Sequence, residues 1–452
     1  MSSRLIWAVI AITMSVIMLP VNFLRPHATT YPILELIGML ATVKYCLKLH
    51  KASPTYVYTS FYQIYSLIGI SISLIIISVG TPMLEIEKEG NANGAFWAAM
   101  LFLITGLEAG RKGFNGHKAN TFLQLRILNH QSKKIAIYAT SFIVLAIGLL
   151  IFGKYGGAAF SGVTRVAFWN EIVPDYLRLY PSLLGQTFFL CAFLFLEYKQ
   201  KLIKNRRALL IVFCYIFATV VIAGEKFSTF IYYMCGWLLL CAGFYQRNIF
   251  SKKLVIFTIL IFSLLIGLIT LNYLNSDREL VFLIYRIAMQ GQLLWSVFTE
   301  NSETLLFGQN WTCIVGCNTY NTGTDYISAK YLPHTIWDSY LATGSGLTGF
   351  MPALPILTLG LPIALTLHIA ISWMLGILQK IIINVINNQD LVTSLLLFKI
   401  YFGLLVAWYA SKESAIPGVI VTVFILTYWI KIFRHKNYNI KEDVPTFGVK
   451  NR

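Results

Sequence analysis

The lysines and arginines of this chain follow a pattern that is typical of a multi-pass membrane protein. Apolar runs divide the 452 residues into about twelve candidate spans, and basic residues fall mainly in alternate intervening segments. These segments are the N-terminus, the loops near 43–56, 109–134, 198–207, 247–253 and 379–390, and the C-terminal tail. With their boundary residues they hold 25 of the 36 Lys and Arg but 5 of the 19 acids. Because cytoplasmic segments are enriched in basic residues, the pattern predicts that both termini are cytoplasmic.

The composition excludes a soluble globular protein. Apolar residues make up 57% of the chain, charged residues 12%, and the mean hydropathy is +0.67, so too little polar surface is available to cover a water-soluble molecule of this length. An all-α integral membrane protein is expected, since most runs approach the ~20 residues that cross a bilayer as a helix. The candidate spans are 4–24, 31–49, 57–79, 94–108, 135–153, 181–197, 208–224, 227–246, 254–273, 346–378, 391–409 and 415–433.

Several classes of function find no support in the sequence. The net charge of +17 is explained by topology and by attraction to anionic lipid, and it indicates no nucleic-acid partner. No Gly-rich phosphate loop, no HExxH motif and no strong internal repeat is present. The first span follows Arg4 and is too long for a cleaved signal peptide, so we expect it to be retained.

The cysteines suggest no metal site. Five of the seven lie in candidate spans, where a small buried thiol is ordinary. Cys313 and Cys317 lie four residues apart in an outward loop, with no histidine at zinc-site spacing. They form either a local disulfide, which an oxidising compartment would permit, or two independent thiols.

The long outward segment 274–345 divides the chain into spans one to nine (1–273), a cap, spans ten to twelve (346–433) and a tail (434–452). Ser276 and Glu279 have capping-box spacing directly before the apolar run 280–298, which predicts that a helix starts there. That helix either lies along the membrane face, with Arg286 and Gln290 four residues apart on one side, or forms an additional span.

Two outward loops contain polar and aromatic residues that suit sugar binding but are equally normal in loops. One extends from 300 to 330, and the other, from 154 to 180, contains Arg165 and Arg178. In a third outward feature, the tight turn Gly224-Glu225-Lys226 leaves a cation at the membrane boundary, either paired with its neighbour or functional.

Two further features concern the spans themselves. Lys399 lies in mid-span, so it either faces the bundle interior, with Glu35 as one possible partner, or snorkels from a shifted span. The run 346–382 has three prolines in its first half, which predicts a kinked or re-entrant segment before the span proper.

The strongest local pattern is His334-Thr335-Ile336-Trp337-Asp338-Ser339-Tyr340-Leu341-Ala342-Thr343-Gly344, followed by a Gly-rich run into the membrane. It resembles the carboxy-terminal signature of the bacterial O-antigen polymerase and O-antigen ligase superfamily. The stretch 285–295 (YRIAMQGQLLW) is similar to an Arg/Gln/Trp element of some polymerases, and 224–226 is similar to a Gly-x-cation turn. The chain departs from the family in having Lys226 where Arg is common, and in having Asp338 earlier than the usual acidic residue.

The resemblance implies a GT-C-like membrane fold of about twelve transmembrane helices with a large periplasmic loop between helices 9 and 10. It implies an O-antigen polymerase that joins undecaprenyl-diphosphate-linked repeat units at the periplasmic face of the bacterial inner membrane. Such an enzyme uses no nucleotide sugar, and no metal or other cofactor is expected. Its partners are the lipid-linked donor and acceptor glycans, membrane lipids and, as an open question, a chain-length regulator.

Roles for individual residues follow from this implied chemistry. A diphosphate leaving group needs fixed cations, for which Arg286 is the first candidate, followed by Lys226, Arg278, Arg165 and Arg178. The attacking sugar hydroxyl needs a proton acceptor, for which His334 is chemically suited because the reference pKa of histidine lies near neutrality. Asp338 would orient it if the stretch is helical, and Gln290 is expected to contact substrate.

Two rival functions remain open from sequence. An O-antigen ligase would share the donor and the cation sites but transfer polysaccharide to lipid A core. A lipid-linked oligosaccharide flippase also fits twelve spans, but a transporter is expected to have its site near the bilayer midplane. Here the polar residues concentrate in one outer loop, which favours an enzyme.

Overall fold

A computed structural model describes most of the chain, and the fold of the described part is all-α. The described residues are 3–24, 32–90, 94–116, 130–161, 163, 165–197, 211, 214–224, 228–245, 281–314, 317, 320, 322–343, 347, 350–411 and 415–442. Span 254–273 and the predicted capping box at Ser276 and Glu279 lie outside them.

Eighteen α-helices are numbered here in chain order within the described residues, and four short helical turns of other types accompany them. The first nine are α1 Ser3–Leu24, α2 Pro32–Ala52, α3 Pro54–Thr59, α4 Phe61–Ser78, α5 Ala95–Gly116, α6 His130–Tyr155, α7 Arg165–Ala167, α8 Tyr180–Glu197 and α9 Ser228–Tyr245. The others are α10 Val281–Ala288, α11 Gln292–Val297, α12 Ser302–Phe307, α13 Gly323–Tyr331, α14 His334–Thr343, α15 Phe350–Leu359, α16 Leu361–Asn387, α17 Leu391–Tyr409 and α18 Ala415–Glu442.

Five helical segments are long and apolar enough to cross a membrane: Phe61–Ser78, Lys134–Tyr155, Asp175–Leu194, Leu361–Asn387 and Leu391–Tyr409. Between 28% and 50% of each is buried, so large apolar side chains remain on the outside. Phe142 on α6 and Phe424 on α18 are more than two-thirds exposed. In water such surfaces would be costly, whereas in a bilayer they contact lipid. These helices are those of a multi-pass membrane protein.

The centre of the bundle is a close contact between α5 and α16. A Cβ at Gly376 would lie 1.9 Å from the carbonyl oxygen of Gly110, and a Cβ at Gly113 would lie 2.2 Å from that of Trp373. Only glycine allows backbones to approach this closely, as in small-residue contacts of membrane helices. Gly106 of α5 faces His368 of α16, and Gly110, further along α5, faces Gly376, further along α16. Residue numbers at the contact therefore increase in the same direction along both helices, so α5 and α16 run parallel.

A buried histidine is hydrogen-bonded at both ring nitrogens within this contact. The Nε2–H of His368 donates to the carbonyl oxygen of Phe102 at 2.9 Å, and the indole N–H of Trp408 donates to Nδ1 at 3.0 Å. With Nδ1 accepting, the proton must reside on Nε2, so the neutral tautomer is fixed. His368 therefore ties α16 to α5 and α17.

The cap docks where α15 meets α16. Gly360, with a positive φ of 79°, breaks the run into two helices, and Gly308 lies directly against it with a φ of 77°. The N–H of Gln309 donates to the carbonyl oxygen of Leu357 at 2.7 Å. The kink predicted for 346–382 is therefore confirmed, and the break is the surface on which the cap rests.

Two other predictions for the cap have clear outcomes. Cys313 and Cys317 form a disulfide. The single helix expected over 280–298 is wrong: the run is split at Met289–Gly291 into α10 and α11, of eight and six residues, both too short to span a bilayer. The physical reason is close packing, since a Cβ at Gly291 would lie 3.0 Å from that of Ser73 on α4.

The parallel contact between α5 and α16 generates a stability prediction. We expect Gly376→Ala to destabilise the folded protein by about 1–3 kcal/mol, the usual cost of overpacking, because the added methyl meets backbone that cannot rotate away. Thermal unfolding in detergent measures the effect. Gly69→Ala on α4 is the matched control, since nothing lies within 4 Å of its Cβ position. Equal melting temperatures for the two variants would contradict the assignment.

Candidate functional site

A tight loop between α4 and α5 lies at the same end of the bundle as the cap. The backbones of Met83 and Lys88 pair in both directions, with N–H to carbonyl distances of 2.9 and 3.4 Å. Met83 and Ile86 are buried, whereas Glu85 between them is only partly buried. Since α5 and α16 run parallel, the segments preceding them emerge at one end, which we call the cap end.

The helices α10 and α11 are held onto α4 by specific contacts. The hydroxyl of Ser73 donates to the carbonyl oxygen of Ile287 at 2.6 Å, near the C-terminus of α10. Gly291 lies against Ser73 and Leu74, and Gly90 of the preceding loop lies against the ring of Trp295 on α11. These contacts place the start of α11 directly beside the loop that contains Glu85.

The carboxylate of Glu85 joins three segments that are remote in sequence. The phenol of Tyr340 on α14 donates to one oxygen at 2.5 Å, and the side-chain amide of Gln292 donates to the other oxygen. Gln292 is fully buried and Tyr340 partly so. Hydrogen bonds to a carboxylate are among the stronger ones in proteins, so Glu85 connects the loop, α11 and α14.

Arg286 on α10 is close enough to this cluster for its charge to act on Tyr340. Burial, and then the hydrogen bond and charge of Glu85, raise the pKa of Tyr340 well above its ordinary value, while Arg286 lowers it. Tyr340 therefore remains a protonated donor at physiological pH. Arg286 is exposed, and no carboxylate in the described part of the chain lies within ion-pair distance of it.

A second described cation of the cap, Lys330, is already engaged. Lys330 contacts Glu300 at 3.1 Å and donates to the side-chain oxygen of Gln309 at 2.6 Å. The phenol of Tyr331 also donates to Glu300, and burial, together with this carboxylate, raises the pKa of Tyr331. Lys330 is thus committed to holding α13 against α12 and is a weaker candidate for an external anion.

The second predicted loop forms a separate unit around the turn at Gly224. The N–H groups of Ala158 and Ala159 donate to the carbonyls of Ile222 and Val221 at 3.1 and 3.3 Å. The indole of Trp169 donates to the carbonyl oxygen of Ala223 at 3.1 Å. Loop 154–180 is therefore fastened to the segment that ends in the Gly-x-cation turn.

The basic residues predicted for this region differ in their surroundings. Arg165 is exposed, and its aliphatic chain lies 3.5 Å from the Cβ position of Gly224. Arg178 is paired with Asp175 at 2.7 Å and donates to the carbonyl oxygen of Asn170 at 2.5 Å. Lys226 and Arg278 lie outside the described residues. Arg165 is thus beside the turn, whereas Arg178 is held within its own loop.

His334 and Asp338 lie on one helix, as the sequence led us to expect, since α14 begins at His334. Both side chains are exposed, and neither takes part in a hydrogen bond or ion pair within the described segments. At about 100° per residue, Tyr340 lies about 120° around α14 from His334. The face of α14 that meets the Glu85 cluster is therefore not the face of His334.

Two predicted contacts are corrected by the geometry. Gln290 follows the end of α10 in a turn, with its N–H donating to the carbonyl oxygen of Ile287 at 3.1 Å, so it does not continue the helical face of Arg286. Lys399 is partly buried in α17, and within the described residues no ion pair joins it to Glu35, which is buried in α2.

Sequence reasoning missed Glu85, Gln292 and Tyr340. Glu85 is 207 residues from Gln292 and 255 from Tyr340, and it lies in a loop of ordinary acidic composition. Tyr340 lies within the pattern 334–344, but no neighbouring residue signals its remote partner. Among the residues that the structure describes, no group of three or more His, Cys, Asp or Glu is arranged to hold a metal ion.

Comparison with protein families gives a match over part of the chain. Residues 318–425 match a protein family of unknown function, DUF6418. The match covers α13 to α17 and part of α18, so it includes His334 and Tyr340 but neither Arg286 nor Glu85. No curated protein and no solved structure matched the chain significantly.

Because α5 and α16 run parallel, the loop that contains Glu85 and the cap should lie on the same side of the membrane. We expect cysteines introduced at Glu89 and Ser302, both exposed, to react with a membrane-impermeant maleimide before the membrane is disrupted. Lys51→Cys at the end of α2 is the opposite-side control and should react only after disruption. The five free cysteines are first replaced by serine. If the cysteine at position 302 reacted only after disruption, as the one at position 51 should, the topology would be contradicted.

Proposed function

We propose that this chain is a membrane-embedded glycosyltransferase of the O-antigen polymerase type. In this proposal about twelve helices form a GT-C-like bundle in the bacterial inner membrane, with both termini cytoplasmic and the cap end periplasmic. The enzyme joins undecaprenyl-diphosphate-linked oligosaccharide repeat units by transferring the growing chain to a newly delivered unit. It needs no nucleotide sugar and no metal ion.

The observation that carries the proposal is the setting of Arg286. Its guanidinium is exposed at the cap end and lacks a carboxylate partner among the described residues, whereas Lys330 and Arg178 are ion-paired. A cation that is positioned but not neutralised is what a diphosphate leaving group requires, because the negative charge on the bridging oxygen grows as the glycosidic bond breaks. The planar fork of arginine suits a diphosphate in particular.

The surface next to Arg286 suits a lipid-linked substrate. Ile284 and Ile287 on the same helix are 47% and 37% exposed. Apolar side chains beside a cation are typical of helices at a membrane interface, where the apolar part contacts hydrocarbon. A polyprenyl diphosphate has the same division, with a long apolar tail attached to a charged head. α10 therefore offers a matching surface for both parts.

The proposal also gives roles to the other candidate residues. In this account His334 and Asp338 contact the acceptor or donor sugar from the exposed side of α14, and Gln290 contacts substrate from the turn after α10. Arg165, beside the Gly224 turn, supplies with Lys226 and Arg278 additional positive charge for the polyphosphate carrier. Arg178 contributes less, because Asp175 already neutralises it.

The proposal predicts that Arg286→Ala abolishes polymerisation. Loss of a preorganised charge that stabilises the transition state typically lowers the rate by about 10²–10³-fold. Arg286→Lys, which keeps the charge but not the fork, should retain intermediate activity. Lys88→Ala at the cap end is the control and should complement normally. Wild-type polysaccharide ladders from Arg286→Ala cells, with normal membrane insertion, would remove Arg286 from the mechanism.

A gel of surface polysaccharide from cells that lack the gene tests the function itself. A core bearing a single repeat unit is the result expected for a polymerase. Bare core together with long chains still attached to the carrier lipid would instead identify a ligase. Absence of any repeat unit at the outer face would favour a flippase. Complementation with the wild-type gene must restore the ladder in each case.

A further inference from the structure

Glu85 is held by two donors and still has acceptor positions to spare. Tyr340 occupies one carboxylate oxygen and Gln292 the other. Both donors are uncharged, and a carboxylate has about four acceptor positions, so about two remain for a further donor. The side chain is only partly buried. A hydroxyl arriving from outside can therefore reach it.

The loop that presents Glu85 is built to hold it still. Met83 and Lys88 close the loop by backbone pairing, and the buried Ile86 anchors it to the core. Gly90 itself lies against Trp295, whose Cζ2 would lie 2.8 Å from an added Cβ. These contacts hold the loop in place, as is needed for a group that must meet a reacting atom.

The charged groups around Glu85 divide into fixed and titratable ones. Tyr340 on α14 keeps its proton at physiological pH because its pKa is raised, and Arg286 on α10 stays protonated throughout. Gln292 on α11 does not titrate. On the same loop Glu87, Lys88 and Glu89 are exposed to solvent. A carboxylate positioned near a cation can act as a proton acceptor beside a developing anion.

We infer that Glu85 is the catalytic base of the transfer, an assignment that rests on the function proposed above. The acceptor sugar's hydroxyl oxygen forms a bond to the donor's anomeric carbon, and the bond from that carbon to the diphosphate oxygen breaks. The electron pair of the broken bond leaves with undecaprenyl diphosphate, whose charge Arg286 stabilises. The hydroxyl proton passes to the carboxylate of Glu85, which releases it to water.

This assignment gives His334 a different role from the one its chemistry first suggests. His334 lies at the first position of α14, about 120° around the helix from Tyr340 and hence from the Glu85 cluster. Arg286 acts electrostatically on Tyr340, the residue that donates to Glu85. The leaving-group cation and the carboxylate thus both interact with Tyr340. His334 binds sugar on a neighbouring face and is not the base.

The test is an elongation assay with full-length protein in membrane vesicles. The substrate is undecaprenyl-diphosphate-linked repeat units extracted from cells that lack the gene. Glu85→Gln removes the proton acceptor but keeps the shape, and Glu89→Gln makes the same chemical change at an exposed site on the same loop. His334→Ala and Tyr340→Phe complete the set. Rates are measured from pH 5 to pH 9, after each variant is shown to elute as a single species in detergent.

We expect Glu85→Gln to lower the maximal rate by about 10²-fold or more, a typical contribution of general base catalysis, and Glu89→Gln to leave it within about threefold. The decrease in rate on the acid side should disappear in Glu85→Gln and persist in His334→Ala. If Glu85→Gln misfolds, Glu85→Ala with added formate replaces it, and restored activity supports the base.

The possible results separate a failure of the Glu85 assignment from a failure of the proposed glycosyltransferase function. Suppose that the wild type elongates chains. The assignment of the base alone is then overturned if Glu85→Gln keeps the wild-type rate, or if the acid-side decrease in rate vanishes in His334→Ala instead. If Tyr340→Phe loses as much activity as Glu85→Gln with no change in either pH profile, the cluster is structural and the assignment also fails. No elongation by wild type overturns the proposed function and this inference with it.

Discussion

The contact between α5 and α16 is the constraint on which the rest of the molecule depends. Gly110 and Gly376 bring the two backbones together so closely that no other residue fits, and His368 joins α16 to α5 through one hydrogen bond and to α17 through another. Because the helices run parallel, the loop before α5 and the cap before α16 must emerge at the same end. The site at the cap end is therefore a consequence of packing deep in the bundle, about which the cap's own sequence says nothing.

The charged residues at the cap end have two different roles. Some charged groups in the described part of the cap hold the structure together, as Glu300 and Lys330 do. Arg286 differs because it lies on a short helix, is exposed, and has the partly exposed Ile284 and Ile287 on the same helix. Glu85 differs because the groups that hydrogen-bond to it, Tyr340 and Gln292, are uncharged donors rather than cations. Charges kept separate in this way are available for chemistry, and the proposed glycosyl transfer would use both.

Much of the helical architecture could be predicted from sequence, because apolar length and proline content act locally. The kink near Gly360, the helix at His334 and the disulfide between Cys313 and Cys317 were all within reach of such reasoning. The break at Gly291 was not, since it arises from the approach of α4, and neither was the pairing of Glu85 with Tyr340. Contacts over 200 residues or more are set by the bundle, and one sequence carries no local trace of them.

The account's central claim, that a lipid-linked diphosphate binds at Arg286 beside Glu85, is tested most directly by a cryo-electron microscopy structure with an undecaprenyl-diphosphate-linked repeat unit bound. We predict that the diphosphate lies within hydrogen-bond distance of the Arg286 guanidinium, with the prenyl chain along Ile284 and Ile287. Binding of the diphosphate against loop 154–180 and the Gly224 turn, with the Arg286 side chain unengaged, would contradict the account.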